Sequence, residues 1–305
     1  LRRGSRGRTI AAMTMPAKSR KAAGARKTKA KRARGETSGY LHGYTVHEQD
    51  RLYHQAAFLA DAVHDRLPFR RCRQLLEIGC GVGAQTEILL RHFPELRITG
   101  VDRSTHNLAR ACAHLERAAV GKGRFTAQQA AAETLPFAVD SFDGAFLCWI
   151  LEHVGDPTRT LAEVRRVLRA GSPVVCNEVM NATFFLDPYS PHTLRYWRAF
   201  NDTQLEMGGD PFVGAKLGNL LLKNGFADIR TDVKTFHLDN RAPGERNEFL
   251  TYWSDLLLSG APALAKVGRV SDETVAGMRQ ELQRVARDPD AVFWYSFVQA
   301  RARVP

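Results

Sequence analysis

Residues 75–84 read Leu-Leu-Glu-Ile-Gly-Cys-Gly-Val-Gly-Ala, an apolar run that ends in three alternating glycines. The run 74–78 predicts a buried strand, and 84–93 predicts the helix after it. Gly79, Gly81 and Gly83 allow a tight backbone turn and the close approach of a ligand. The free N–H groups at the helix start favour an anionic group there. A second strand, 97–102, ends in Asp102, a carboxylate placed to accept hydrogen bonds from the two hydroxyls of a ribose. Few folds other than an alternating α/β sheet with a nucleoside site satisfy both features.

The loop alone does not choose the ligand. Gly79-Cys-Gly81-Val-Gly83-Ala84 also fits the dinucleotide pattern G-x-G-x-x-G/A, which recurs widely. Glu77, two residues before the first glycine, separates the readings. An acid there repels a pyrophosphate. It suits an amino-acid head group that carries an ammonium beside its carboxylate.

The segment resembles the first motif, E-x-G-x-G-x-G, of the class I S-adenosylmethionine-dependent methyltransferases. Glu133-Thr-Leu135-Pro136-Phe137 followed by Asp140-Ser141-Phe142-Asp143 resembles that family's stretch around the adenine pocket. Cys148-Trp149-Ile150-Leu151-Glu152-His153-Val154 resembles the strand end that passes under the methionine moiety. Residues 161–171 resemble the helix and turn before the fifth strand, with Ala170-Gly171-Ser172 where Pro-Gly-Gly is common. The likeness spans residues 72–180 and is nearest to the small-molecule type typified by the ubiquinone/menaquinone-biosynthesis methyltransferases.

The resemblance implies S-adenosyl-L-methionine as cofactor and S-adenosyl-L-homocysteine as product. It implies a cofactor site formed by Tyr44, Gln55, Glu77, Gly79, Gly81, Gly83, Asp102, Arg103, Asn107, Gln129, Ala132, Glu133, Cys148 and Trp149. Ala131 stands where many relatives carry an Asp against the adenine amino group, which leaves Gln128 and Gln129 nearby. It also implies a seven-stranded, mostly parallel sheet with helices on both faces. Strands are expected near 124–127, at 144–149, 173–179 and 228–238, and at 291–300, the last as the antiparallel edge.

Two insertions interrupt that pattern. Residues 181–215 are rich in aromatics (Phe184, Phe185, Tyr189, Tyr196, Trp197, Phe200, Phe212) and are expected to form a lid over the acceptor; a plain hydrophobic sub-core is the other reading. Residues 243–287 read as helical. Upstream, Thr45-x-x-Glu48 has the form of a capping box. Leu52, Ala56, Leu59 and Val63 follow on one helical face. Tyr40, His42 and Tyr44 precede that helix as part of an N-terminal helical lid over 39–70.

The net charge of +12 invites a nucleic-acid reading. It comes from residues 1–34, which hold 13 Lys and Arg and no acid, and the remainder has 31 basic against 32 acidic residues. Residues 1–38 are expected to be a disordered basic arm, and 39–305 a methyltransferase domain. A methyltransferase of RNA or protein that holds its target with the arm is the alternative function. Nucleic acid is a partner only through this arm. No run of 18 apolar residues exists, so no membrane span is expected. The five cysteines show no metal spacing, which points to a reducing, cytoplasmic setting without metal.

The second substrate must reach the cofactor beyond the carboxyl ends of the strands. His153 and Glu178 are the candidates there for a general base. Enzymes that methylate exocyclic amines of nucleobases or glutamine carry Asn/Asp-Pro-Pro-Tyr/Phe at the fourth strand end, where this chain has Cys148-Trp149-Ile150-Leu151. The expected acceptor is a small, partly hydrophobic molecule.

Overall fold

The structure, a computed structural model, describes residues 46–305. The basic arm, Tyr40, His42, Tyr44 and the capping Thr45 lie outside the described residues. The first helices are α1 (Val46–Phe58) and α2 (Ala60–Val63). They bury Ala56, Leu59 and Val63, the face their spacing predicts. Glu48 is also buried, its carboxylate clasped by Arg51 (Nε–Oε2 2.8 Å, Nη2–Oε1 2.6 Å).

Alternation then follows the sequence closely. The elements are β1 (Gln74–Ile78), α3 (Ala84–His92), β2 (Arg97–Asp102), α4 (Thr105–Arg117), β3 (Phe125–Gln129), β4 (Gly144–Cys148), α5 (Pro157–Val167) and β5 (Pro173–Val179). Helix starts are set by local chemistry. The Ser104 hydroxyl accepts from the Asn107 amide to open α4. The Asp156 carboxylate accepts from the Arg159 amide to open α5, with Pro157 in its first turn. The five strands are parallel in the order β3-β2-β1-β4-β5. Order reverses between β1 and β4, so ligands are favoured beyond the carboxyl ends of these two strands.

The second half differs from expectation in three ways. The elements are β6 (Phe185–Asp187), α6 (Pro191–Glu206), α7 (Leu217–Lys223), β7 (Ala227–Leu238), α8 (Pro243–Lys266), α9 (Asp272–Arg287) and β8 (Val292–Arg303). First, β8 is not an edge. It runs antiparallel between β5 (Pro173↔Arg303 to Val179↔Phe297) and β7 (Ala227↔Arg303 to Leu238↔Phe293), and β7 is the edge strand. Aromatics alternating along β8 suit a strand paired on both sides; the half-exposed pattern of β7 suits an edge. Second, the sheet has eight strands, because β6 prolongs the line of β5 along β8. Third, helices do not cover all of β8, and Trp294 and its β6 neighbour Phe185 are exposed.

The aromatics of 181–215 mostly pack inward, so the expected lid is largely a sub-core. Tyr196, Trp197, Phe200 and Phe184 join Phe249, Trp253, Phe293 and Phe297 in one apolar layer on the face of the sheet shared with Leu75 and Phe146. Trp197 stacks on Phe200 at 5.5 Å, and Phe184 stacks on Trp253 at 5.3 Å. The opposite face packs Leu76, Ile78, Leu147 and Cys176 beneath α5 and α7. No helix among the described residues is long and apolar enough to cross a membrane.

Candidate active site

The loop after β1 is built around backbone that only glycine adopts easily. Gly81 has φ +52°, and a Cβ there would meet nothing nearer than the Gly79 carbonyl oxygen at 4.0 Å. Open space therefore lies over its backbone. Gly79 (φ +70°) is bare for a different reason, since a Cβ would lie 2.8 Å from the Ile150 side chain.

Asp102 ties this loop to the end of β2. Its Oδ2 accepts from the Gly81 amide at 3.0 Å and its Oδ1 from the Ser104 amide at 2.8 Å. A carboxylate has about four acceptor positions, so both oxygens keep capacity for hydroxyl donors. Burial pushes the Asp102 pKa up, and the two backbone donors pull it back. Glu77 is deeper. It is 3% exposed and accepts from the Thr86 hydroxyl at 2.6 Å. Burial raises its pKa to about 8 despite that bond.

Of the residues expected at the adenine, Gln129 stands beside Asp102. Gln129 is its register partner on β3, and the Gln129 amide donates to the Arg103 carbonyl at 3.2 Å. Ala132 is buried and Glu133 half-buried in the turn that follows. Asn107 is buried, its side-chain oxygen accepting from Gln49 of α1 at 3.3 Å. Tyr53 of α1 donates to the Val82 carbonyl at 2.9 Å, so α1 is fastened once to the glycine loop and once, through Asn107, to α4. Gln55 accepts from Arg51 at 2.6 Å.

The ends of β4 and β5 form the other wall. Cys148 and Trp149 keep accessible surface although burial drives the Cys148 thiol pKa far up. Trp149 has φ +53°, a left-handed backbone that costs a bulky residue about 1–3 kcal/mol and clusters at functional sites. The turn beyond it is pinned by Glu178, which is fully buried and accepts from the amides of Ile150 (3.1 Å), Leu151 (2.8 Å) and Glu152 (3.4 Å). Burial, then the neighbouring Glu152, raise the Glu178 pKa against those three donors. Glu178 was expected as a possible base. Its oxygens are turned inward and occupied, so it holds the turn rather than meeting a substrate.

Glu152 and His153 lie at the rim of this wall. Glu152 Oε2 accepts from Gln204 of α6 at 2.8 Å, and Glu152 Oε1 lies 3.5 Å from His153 Nε2. His153 Nδ1 is 3.5 Å from the Gln204 amide nitrogen. An imidazole oriented by a carboxylate is an arrangement that can take a proton. Sequence reading overlooked Gln49, Arg51, Tyr53 and Gln204. The Glu48–Arg51 spacing on one helix turn was a visible signal for Arg51; Gln204 lies 52 residues from its partner and had none.

A methyltransferase-domain family model matches residues 76–176. The O-methyltransferase rstn1 of Aspergillus nomiae is 30% identical over 205 residues, covering 65% of this chain and 85% of the relative. The ubiquinone/menaquinone biosynthesis C-methyltransferase UbiE of Desulfotalea psychrophila is 33% identical over 103 residues, 34% of this chain and 40% of the relative. Among solved structures, the cyclase SpnF superposes with a TM-score of 0.51 at 22% identity, covering 82% of this chain and 83% of that one; it supports the fold alone. The chain belongs to the class I S-adenosylmethionine-dependent methyltransferases and is an enzyme of that family.

Proposed function

We propose that the enzyme transfers the methyl group of S-adenosyl-L-methionine to an oxygen of a small, partly hydrophobic metabolite. The observation that carries this reading is the open space over the Gly81 backbone, beside Asp102 and next to Gly79, which packs against Ile150 of the turn after β4. A ligand that needs ribose acceptors at one end and an apolar wall at the other fits that space. The O-methyltransferase relative favours oxygen as the atom methylated.

Asp102 would accept from the ribose hydroxyls, and Glu77, once ionised, would face the ammonium. The N-terminus of α3 would face the carboxylate, since the amides of Gly79, Cys80, Gly81 and Gly83 are bonded within the chain. Arg103, Asn107, Gln129, Ala132 and Glu133 would border the adenine. Cys148 and Trp149 would lie under the methionine chain, and Gln55 would approach from α1. Tyr44, outside the described residues, would join from the segment before α1.

When bound, the cofactor supplies an electrophilic sulfonium methyl. The chain has three tasks beside it. The strained Trp149 turn, held by Glu178, fixes the wall against which the acceptor is aligned, and alignment can supply about 7–11 kcal/mol of the barrier. The layer containing Trp197, Phe200 and Trp253 backs the site with apolar bulk and keeps water out. His153, steadied by Glu152, takes the proton of an acceptor hydroxyl, a contribution of about 10²–10⁴-fold.

The test is a tritium-transfer assay of the full chain against neutral phenols, carboxylic acids and amines, with S-adenosyl-L-homocysteine binding measured in parallel. The reading expects homocysteine-product binding and label on a phenolic oxygen. A protein that ignores the product nucleoside, or that labels only amines, would not be this enzyme.

A further inference from the structure

The outer strand of the sheet is long, regular and unpaired on one side. β7 pairs with β8 without a break from Arg230 to Leu238, and among the described residues no strand pairs with its other side. Edges of this length are usually blunted by proline, a bulge, a cover or outward charges. β7 contains no proline. Its one irregularity, between Ala227 and Arg230 with Asp228 at φ +52°, is confined to its start. Its central charges are spent within the chain, since Asp232 pairs with Arg301 and Lys234 donates to Asp65 at 2.6 Å.

Apolar surface gathers on one face beside this edge. Val233, in the middle of the regular stretch, is 67% exposed. His237 follows on the same face, its ring 4.8 Å from that of its register partner Trp294. Trp294 is in turn the register partner of Phe185, and both are exposed. Toward the start of β7, Thr231 lies against Gly218 of α7, where a Cβ would stand 3.8 Å from the Thr231 Cγ2. Leu222, one helical turn beyond Gly218, is 66% exposed.

The sequence of β7 indicates what covers it. A two-fold axis through the edge pairs the strands antiparallel and keeps each face aligned, so the residue on the axis fixes the register. Centred on Val233, Asp232 meets the partner's Lys234 and Thr231 meets the partner's Thr235. Opposite charges then share one face and β-branched side chains the other, pairs that stabilise a ladder. Centring one residue earlier sets Asp232 against Asp232 and Arg230 against Lys234, and one residue later sets Lys234 against Lys234. Centring on Thr231 draws Asp228 into the ladder, which its left-handed backbone in the bulge prevents.

We propose that β7 is the contact surface of a homodimer, in which a second copy of this chain pairs antiparallel across Val233 and the two sheets become one. The partner strand satisfies the open backbone row and sets the two exposed apolar faces side by side.

Sedimentation velocity of the full chain from about 1 to 100 μM should show a species of twice the chain mass. Val233→Lys sets two ammonium groups face to face on the axis, and should weaken association at least about tenfold with far-UV circular dichroism unchanged. Val233→Thr keeps a β-branched side chain and should dimerise as the wild type does. Cysteine pairs then read the register, in a chain freed of its exposed thiol by Cys112→Ser and with that parent as the blank. Directly opposed residues lie about 4.5–5.5 Å apart at Cα, within disulfide reach. Val233→Cys should therefore cross-link to itself on mild oxidation. Thr231→Cys should not cross-link alone, but should do so when mixed with Thr235→Cys. A chain that stays monomeric throughout, a Val233→Lys protein that associates like the wild type, or Thr231→Cys cross-linking as readily as Val233→Cys would overturn the proposal.

Discussion

Glu77 gives cofactor binding a pH dependence that can be worked out in advance. The carboxyl is 3% exposed, is hydrogen-bonded by Thr86, and titrates at about 8 because burial penalises its charge. Below that value the resting enzyme holds Glu77 neutral. An ammonium beside it favours the ionised form, so binding must expel a proton. The apparent affinity is then reduced by the fraction of enzyme already ionised. That penalty is about a hundredfold near pH 6 and about fourfold near pH 7.5, following one decade, or about 1.4 kcal/mol, per pH unit. Calorimetric titration with S-adenosyl-L-homocysteine should give log Kd falling with slope near −1 toward pH 8. Comparing buffers of different ionisation enthalpy near pH 6 should show about one proton released.

Glu77→Gln keeps an acceptor for Thr86 and removes the titration, so its log Kd should be flat over the same range. Asp102→Asn is the control, because Asp102 is also pushed up by burial; its slope should survive. The sign for stability is separate. A carboxyl raised from 4.5 to about 8 in the folded state favours folding below the lower value. That advantage is lost as pH rises through 8, at a cost of up to about 5 kcal/mol. Glu77→Gln should therefore raise the melting temperature above pH 8 even as it weakens binding. A wild-type Kd constant from pH 6 to 8, or a slope that persists in Glu77→Gln, would refute the reasoning.

Three further outcomes follow from the same geometry. Gly81→Ala meets open space but a φ of +52°, so it should cost about 1–2 kcal/mol of stability and lower product-nucleoside affinity more than tenfold; unchanged affinity by calorimetry would place the ligand elsewhere. Asp102→Ala should weaken that binding by about 1.5–3 kcal/mol, the scale of hydrogen bonds to a charged group, and equal binding would end the ribose assignment. His153→Ala should lower kcat by about 10²–10⁴-fold with product-nucleoside affinity intact, whereas Glu178→Gln, which keeps one carbonyl oxygen for the backbone amides, should retain most turnover; the reverse ranking in a single-turnover assay would make Glu178 the base.

The sheet could be read from the chain wherever burial acts on both faces of a strand. β1, β4 and β5 are continuous apolar runs because helices cover both sides, and their bounds emerge within a residue of expectation. β8 was misplaced for a physical reason. Its aromatics show that it is buried, but only the pairing with both β5 and β7, across gaps of more than 50 residues, makes it interior. The site divides along a similar line. Gly81 and Asp102 declare themselves because their backbone demand and strand-end position are local properties. The acids beyond β4 do not, because what matters there is which lone pairs remain. Glu152 and Glu178 look equivalent as acids after strands, yet Glu178 gives its oxygens to three backbone amides while Glu152 reaches toward His153. Occupancy of donors and acceptors, rather than residue type, decides which group is left to meet a substrate.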